Sequence, residues 1–301
     1  MKYLFYPGCN AEAIEKESLT ATQLVCKELG IELVDGPELS CCGGSHLDKL
    51  DGYMNLLVNA RNLSIAEKQG LDILTICNTC LNVMKRVNVE LAKRPEVLMQ
   101  VNHDLGKAGL SYSGKTKVKH LLEVLCVEYG AGRIKEKVKR PLEGVKVAAF
   151  YGCHILRPKD EMNFDNPEHP MMIEKLIEAV GGEAVYYDSR TRCCGFHITM
   201  ANPDLCAKMS SANLLDAKSH SADVIVTPCT LCHTVMDGQQ HRAEKEAKQK
   251  IRLPTIHLPQ LVGLALGMDE KKLGFNRHII SCKEFLAKIP TKIEEKKEEQ
   301  K

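Results

Sequence analysis

Short apolar runs alternate along this chain with longer stretches of helical periodicity. Six apolar runs predict strands, and the near-continuous ones are typical of strands buried on both faces. They are residues 2–6, 31–34, 71–76, 145–151, 183–187 and 223–227. Apolar residues recurring about every 3.6 positions predict helices at 15–29, 48–69, 116–129, 171–180 and 203–217. Residues 102–115, rich in glycine and serine, predict a loop.

The same order of elements occurs in both halves of the chain. Alternation of strand and helix with buried strands predicts an α/β fold built from parallel sheets with helical crossovers. We expect two pseudo-symmetric lobes from an internal duplication, each a small, mainly parallel sheet flanked by helices. The lobes are placed at 1–140 and 141–290, with the basic stretch 133–140 as the linker. Residues 291–301 are charged and predict a disordered tail.

Ten of the fourteen cysteines form one pattern that the chain carries twice. Each copy has a single cysteine after its first strand, an adjacent pair followed by glycine, and a CxxC turn after a later strand. The copies are Cys9, Cys41, Cys42, Cys77 and Cys80, and Cys153, Cys193, Cys194, Cys229 and Cys232. From the pair to the CxxC the distance is 35 in both (77 − 42 and 229 − 194). Ligand sites of parallel sheets lie beyond the carboxyl ends of the strands, so we expect each copy to converge at one edge of its lobe.

Composition narrows the class of protein. The chain has 41 basic and 39 acidic residues, and this near balance argues against a broad surface for nucleic acid. The apolar run at the N-terminus is too short for a secretory signal, and no stretch approaches the roughly 20 apolar residues that span a bilayer. We therefore expect a cytoplasmic protein, in which clustered cysteines serve metal or redox chemistry rather than disulfides.

Several kinds of site compete for these cysteines. A structural zinc ion takes four ligands and would leave one thiol of each five unused. The usual cubane signature, CxxCxxCxxxCP, is absent, and a thioredoxin-like dithiol would explain CxxC but not the adjacent pair. Four further cysteines lack a counterpart in the other half, and their apolar surroundings predict small buried side chains. They are Cys26, Cys126, Cys206 and Cys282.

The pattern C…CCG…CxxC, present twice with YPGC at the first strand, resembles the cysteine-rich CCG-domain family that includes the B subunit of heterodisulfide reductase from methanogenic archaea. The resemblance implies that each set of five cysteines holds a non-cubane [4Fe–4S] cluster. It implies a small-molecule substrate, the mixed disulfide of coenzyme M and coenzyme B. It also implies partners: the ferredoxin-like C subunit of that reductase as electron donor, its flavin-containing A subunit, and a hydrogenase or formate dehydrogenase beyond them.

Cleavage of a disulfide takes two electrons, whereas an iron–sulfur cluster ordinarily passes one. Our hypothesis is that each of the two clusters supplies one electron and holds one product sulfur. His154, directly after Cys153, is the candidate catalytic residue that donates a proton to the products. The alternative is a histidine that only orients the cysteine loop through a backbone hydrogen bond.

Other polar residues near the cysteines are candidates for supporting roles. Three histidines are expected to hydrogen-bond to cluster sulfur, namely His46, His197 and His233. Two others, His120 and His257, are expected to cap helices or pack in the core. Five cations could bind the sulfonate and phosphate of the implied substrate, with a solvated side chain as the alternative for each. They are Arg192, Arg190, Arg157, Lys159 and Lys49.

A second function class remains open. CCG domains also occur in electron-transfer subunits of lactate or glycolate oxidase-like and succinate dehydrogenase-like complexes, often with ferredoxin motifs in the same chain. This sequence has two intact cysteine patterns and no ferredoxin or GxGxxG motif, which favours the disulfide reductase.

Overall fold

A computed structural model describes residues 1–290, whose strands form two separate four-stranded sheets. The strands are β1 (Lys2–Tyr6), β2 (Glu32–Asp35), β3 (Asp72–Thr75), β4 (Val118–His120), β5 (Lys146–Ala149), β6 (Glu183–Val185), β7 (Val224–Thr227) and β8 (Thr255–His257). The strand orders are β2-β1-β3-β4 and β6-β5-β7-β8, and every neighbouring pair is parallel. Identical topology in the two sheets confirms the predicted α/β fold with two pseudo-symmetric lobes.

Helices flank both sheets. They are α1 (Cys9–Ala13), α2 (Lys16–Leu29), α3 (Leu47–Leu50), α4 (Gly52–Lys68), α5 (Asn78–Lys93), α6 (Pro95–Gly106), α7 (Leu121–Glu123), α8 (Ala131–Glu136), α9 (Lys159–Met162), α10 (Met172–Ala179), α11 (Pro203–Ser219), α12 (Thr230–His233), α13 (Gln240–Ala247), α14 (Leu258–Ala265) and α15 (Lys283–Lys288). Two π-helical turns, Val124–Gly130 and Thr234–Gly238, follow α7 and α12. No helix in the part of the chain described is long and apolar enough to cross a membrane.

The central strands form the core of each lobe. Leu4 in β1 and Ile73 in β3 have no exposed surface, and neither do Val147 in β5 and Ile225 in β7. Their neighbours β2 and β6 at one edge of each sheet are partly exposed. Strands covered on both faces are the expected result of helical crossovers in a parallel sheet.

Local signals set several helix boundaries. Gly30 takes a left-handed conformation (φ 69°) and ends α2, as its sequence position predicted. Asp51 accepts a hydrogen bond from the backbone N–H of Met54 and begins α4. This cap divides the predicted helix 48–69 into α3 and α4. Asn202 caps α11 in the same way through the N–H of Leu205.

Two sequence predictions around the first lobe's last strand are wrong in their first residues only. The predicted loop 102–115 begins with the end of α6, which continues to Gly106. The predicted helix 116–129 begins with β4, and the corresponding β8 was also missed. Strands of three residues carry too few positions for a period-2 pattern, and their pairing with β3 and β7 decides their structure.

The predicted linker 133–140 is docked rather than free. Its first part lies in α8, where Ile134 has no exposed surface. Arg140 then forms an ion pair with Glu270 at 3.0 Å, and its backbone N–H donates to the carbonyl of Ala265 at 2.9 Å. The lobe boundary at residue 140 stays a prediction, and the charged tail 291–301 lies outside the described residues.

The two lobes interlock through helices that cross the boundary. Helix α2 of the first lobe packs against α14 of the second, and α5 packs against α9. The side chain of Asn78, at the start of α5, donates to the carbonyl of Tyr151 at 2.7 Å, just beyond β5. This packing holds the carboxyl edges of the two sheets against each other.

Candidate metal centre

The first set of five cysteines lies where β1, β2 and β3 end. Cys9 opens α1, and Cys77 and Cys80 lie at the start of α5. Cys41 Sγ is 3.9 Å from Cys9 Sγ, and Cys42 Sγ is 3.5 Å from Cys80 Sγ. Cys41 and Cys42, and likewise Cys77 and Cys80, are close enough for their thiols to shift each other's pKa. All five thiols therefore lie together, and we call them the first thiol set.

The second thiol set repeats this arrangement after β5, β6 and β7. The Cys193 thiol is close enough to those of Cys153 and Cys194 for its pKa to depend on both. The pKa of Cys232 depends in the same way on Cys194 and Cys229. Every cysteine among residues 1–290 is a free thiol, so neither set is consumed by disulfides.

The two thiol sets touch each other. Cys77 of the first set and Cys229 of the second are close enough for each thiol to shift the pKa of the other, and both are buried. Each lies two residues beyond the end of a central strand and directly before a helix. The contact therefore follows from the packing of the two sheet edges, and it makes one continuous surface of sulfur ligands.

The cysteines within each set have different pKa values. Hydrogen bonds from Cys41 and Cys80 lower the pKa of Cys42 to about 3, while the pKa of Cys41 is raised because it donates to Cys42. A hydrogen bond from Cys153 is the main cause that lowers the pKa of Cys193 to about 2. Buried thiols this close cannot all ionise without a compensating positive charge. The all-sulfur donor sets therefore fit a soft metal centre, such as an iron–sulfur cluster.

Backbone groups support the sulfur atoms. In each CCG motif the glycine N–H donates to the first cysteine of the pair, from Gly43 to Cys41 and from Gly195 to Cys193, at 3.4 Å in both cases. Hydrogen bonds of this kind orient thiolate ligands and tune the reduction potential of a bound cluster.

Three histidines gather beside the second thiol set. The Thr79 hydroxyl, from the CxxC of the first lobe, lies 3.0 Å from His154 Nδ1 and 3.2 Å from His197 Nε2. The ring centroids of His154 and His197 are 4.9 Å apart, and His46 lies 5.6 Å from His197. Burial is the main cause that lowers the pKa of both His154 and His197. Sequence reasoning missed Thr79, although its place inside a CxxC turn was a signal.

The other predicted histidines have different surroundings. His120 Nδ1 accepts the N–H of Leu122 at the start of α7, and the side chain of His257 forms a capping box at the start of α14. Helix capping or core packing was expected of both, and each histidine caps a helix and is buried. The two ring nitrogens of His233 face Glu15 and His278, which leaves neither of them for a sulfur atom.

The predicted substrate cations are dispersed. Arg190 is committed to the fold, because its Nε lies 3.3 Å from a carboxylate oxygen of the fully buried Glu174. Arg157 bridges two loops by donating to the carbonyls of Thr191 and Pro167. Two others, Arg192 and Lys159, are exposed.

Lys49 lines a cavity of about 480 Å³ between α4, α5 and α6. Arg86 and Arg94 on or next to α5 also line this cavity, together with Asp48 and Glu90. Arg86 Nη1 lies 3.5 Å from Asp48 Oδ2, and its charge contributes to the lowered pKa of His154. Sequence reasoning missed both arginines because helical spacing alone does not show which face of α5 lines a cavity. By contrast, the space beside the second thiol set is only about 20 Å³.

Comparison with known proteins identifies similar chains. The cysteine-rich domain family (CCG) matches residues 3–85 and 147–237, which contain both thiol sets. The membrane anchor subunit of the 8-methylmenaquinol:fumarate reductase from Wolinella succinogenes is 39% identical over 93% of this chain and 98% of its own length. The B subunit of the ferredoxin/F420H2-dependent CoB-CoM heterodisulfide reductase from Methanosarcina acetivorans is 34% identical, over 94% of this chain and 92% of that one.

A solved structure shares the fold. The crystal structure of a hypothetical protein from Helicobacter pylori superposes with a TM-score of 0.76 and 17% identity over 93% of this chain. The chain spans 52% of the length of that structure. At this identity the similarity concerns the two-lobed architecture alone.

Proposed function

The chain belongs to the cysteine-rich CCG-domain family, and from this premise we propose that it is the catalytic iron–sulfur subunit of a heterodisulfide reductase complex. Its reaction would be the reduction of the coenzyme M–coenzyme B disulfide to two thiols. Relatives named as reductase subunits align over more than nine-tenths of the chain, which supports an oxidoreductase role within a complex.

The observation that carries the proposal is the proximity of the thiol sets at Cys77 and Cys229, whose thiols shift each other's pKa. A disulfide needs two electrons and yields two sulfur products, so a site with two adjacent ligand sets suits it better than one isolated set. The first thiol set would hold one non-cubane [4Fe–4S] cluster and the second set the other. When bound, the two clusters would supply the two electrons.

His154 has the position of a proton donor in this scheme. Its ring lies beside the second thiol set and lines the same small space as Cys193, Thr79 and His197. The hydroxyl of Thr79 lies within hydrogen-bond distance of both imidazoles and would pass a proton between them. These groups would move a proton toward a product thiolate without opening the site to bulk water.

Replacing His154 by asparagine is expected to lower the rate of thiol release about 100-fold, the lower end of the usual contribution of general acid catalysis. The first lobe already carries an asparagine at the matching position, Asn10, so the fold should tolerate the change. The measurement is anaerobic turnover with the disulfide, alongside iron and sulfide content. The exposed His169→Asn variant is the control. Full activity in His154→Asn would contradict the role.

The charged ends of the substrate need cations. We propose that Lys49, with Arg86 and Arg94, receives one anionic group in the cavity between α4, α5 and α6. Arg192 and Lys159 are exposed and stay candidates for the other group, whereas the buried ion pair of Arg190 makes that side chain the weakest candidate.

Electrons would reach this protein from partners. We propose the ferredoxin-like C subunit of the reductase as donor and the flavin-containing A subunit behind it, with a hydrogenase or formate dehydrogenase further upstream. The fourteen free thiols suit a reducing compartment, which supports a cytoplasmic location.

A second candidate function is favoured by one specific finding. The relative from Wolinella succinogenes, named for menaquinol:fumarate reductase, is 39% identical to this chain. In this alternative the thiol sets would hold clusters that pass electrons between a quinol and another protein of the complex, with no disulfide bound.

One experiment separates the two functions. The complex is purified anaerobically and assayed both with the coenzyme M–coenzyme B disulfide and with a reduced naphthoquinone plus fumarate. Thiol release supports the reductase. Fumarate reduction without thiol release would reject it and support the electron-transfer role.

A further inference from the structure

A second group of potential metal ligands lies at the lobe boundary, apart from the ten cysteines. Four side chains form it: Glu15 and Glu17 from the first lobe, and His233 and His257 from the second. Each is at most 5% exposed. One nitrogen or oxygen atom from each residue lies within 4.8 Å of those of the other three. Buried carboxylates and imidazoles in such proximity are the donor set of many metal sites.

A chain of hydrogen bonds fixes which nitrogen of His233 carries a proton. The side-chain amide of Gln260 donates to the carbonyl of Leu273, and its oxygen accepts the backbone N–H of His257. Because that oxygen is an acceptor, His278 Nε2 at 3.1 Å must be the donor. The side chain of His278 is fully buried, and its nearest carboxylate oxygen, on Asp237, is 3.9 Å away, beyond hydrogen-bond distance. With Nε2 as the donor to Gln260, Nδ1 of His278 is left as an acceptor.

It follows that His233 Nε2, 3.1 Å from His278 Nδ1, is the donor of that contact. The other nitrogen, Nδ1, lies 2.6 Å from Glu15 Oε2. This nitrogen is buried and has no hydrogen-bond partner in the structure. A ring nitrogen and a carboxylate oxygen this close repel each other unless a positive species, either a proton or a metal ion, bonds to both.

The outer oxygens of both carboxylates are already engaged. Thr234 Oγ1 lies 2.6 Å from Glu15 Oε1, and Arg277 Nε donates to Glu17 Oε2 at 2.8 Å. The inner oxygens, Glu15 Oε2 and Glu17 Oε1, lie 3.2 Å and 3.4 Å from His257 Nε2. The side chain of His257 accepts the N–H of Gln260 in the capping box, so Nε2 carries the proton and orients both carboxylates. Outer contacts of this kind typically hold metal ligands in place.

We propose that Glu15, Glu17 and His233 bind one divalent first-row transition metal ion, such as Mn²⁺, Fe²⁺ or Zn²⁺, that joins the two lobes. Two carboxylate oxygens and one imidazole nitrogen suit these ions and distinguish the site from the sulfur sites. The ion would tie the start of α2 to α12, whose Cys232 directly precedes His233.

The duplication offers an internal comparison. In the first lobe Leu81 follows Cys80 at the place that His233 occupies after Cys232. His120 remains at the end of β4, as His257 does at the end of β8, but its Nε2 has no partner. The proposed site is therefore present once among the described residues, at only one of the two related positions.

The test uses the anaerobically purified complex with its clusters bound. Elemental analysis is expected to show one equivalent of zinc or manganese, or iron in excess of acid-labile sulfide. After dialysis against a chelator, Mn²⁺ followed by electron paramagnetic resonance should bind at one tight site. Glu15→Gln and Glu17→Gln should each weaken Mn²⁺ binding at least about 10-fold. Glu12→Gln, an exposed glutamate in the same segment, is the control and should bind as the wild type does.

Thermal unfolding gives a second readout that does not depend on activity. Added Mn²⁺ should raise the Tm of the wild type and of Glu12→Gln but not that of Glu15→Gln. If a glutamine variant fails to fold, the native metal content and Mn²⁺ binding of the wild type are sufficient to test the proposal. No native metal and no tight Mn²⁺ site would overturn the proposal and would show that His233 is instead a protonated partner of Glu15.

Discussion

Replacing Cys232 by serine is expected to remove about half of the iron and acid-labile sulfide from the anaerobically purified protein and to abolish thiol release. Cys232 connects Cys194 to Cys229 within the second thiol set, so its loss leaves that set without a central ligand. Under the proposed function, the one cluster left would supply one electron at a time, whereas the disulfide requires two. Iron and sulfide analysis, with turnover in parallel, measures the effect.

The matched control is Cys282→Ala. Cys282 is also buried in the second lobe, but its Sγ lies 3.7 Å from the carbonyl of Ile280 and it belongs to neither thiol set. This variant should keep its full iron and sulfide content. If Cys232→Ser retained all its iron and its activity, the assignment of five ligands per set would be wrong.

Replacing Gly152 by alanine is the second change with a large expected effect. Gly152 has a φ of 70°, and a Cβ built on it would lie 3.0 Å from Cys232 Sγ. Alanine in a left-handed conformation costs about 1–2 kcal/mol, and the close approach to sulfur adds to this cost. We expect the free energy of unfolding to fall by more than the backbone strain alone, and the second thiol set to lose its cluster. Gly8 makes the equivalent approach to Cys80 Sγ at 3.1 Å.

Gly144→Ala separates the two causes. Gly144 has a φ of 75°, close to that of Gly152, but nothing lies within 4 Å of the position that its Cβ would take. The Gly144→Ala variant should therefore lose only the free energy of unfolding that the backbone strain costs, and its iron content should be that of the wild type. Denaturant unfolding and iron content are compared for the two variants. Equal losses in both would mean that the contact with sulfur is unimportant.

The lobes share a topology but offer different surroundings to their thiols. Cys9 and Cys41 of the first set are exposed, whereas the related Cys153 and Cys193 are partly covered. Asn10 stands in the first lobe where His154 stands in the second. The first set is thus the more exposed to solvent, and the second set lies beside the histidine that we propose as proton donor.

The sequence was sufficient to predict the arrangement within each lobe. Parallel strands place their carboxyl ends at one edge, so cysteines that follow β1, β2 and β3 must meet there whatever the rest of the chain does. The short strands β4 and β8 were missed, since three residues have no readable period and are set by pairing. The same physical limit hid the cavity beside α5, because the face that a helix turns to its neighbour depends on packing.

Contacts between the lobes were decided by the tertiary structure alone. The thiol contact of Cys77 with Cys229, and the approach of Thr79 to His154, join residues from different halves of the chain. Glu15 and Thr234, which meet in the proposed metal site, are separated by 219 positions. The spacing of a motif determines which side chains lie together at the carboxyl edge of one sheet. Which two edges come together depends on the complementary surfaces of the packed helices, and no local pattern records that.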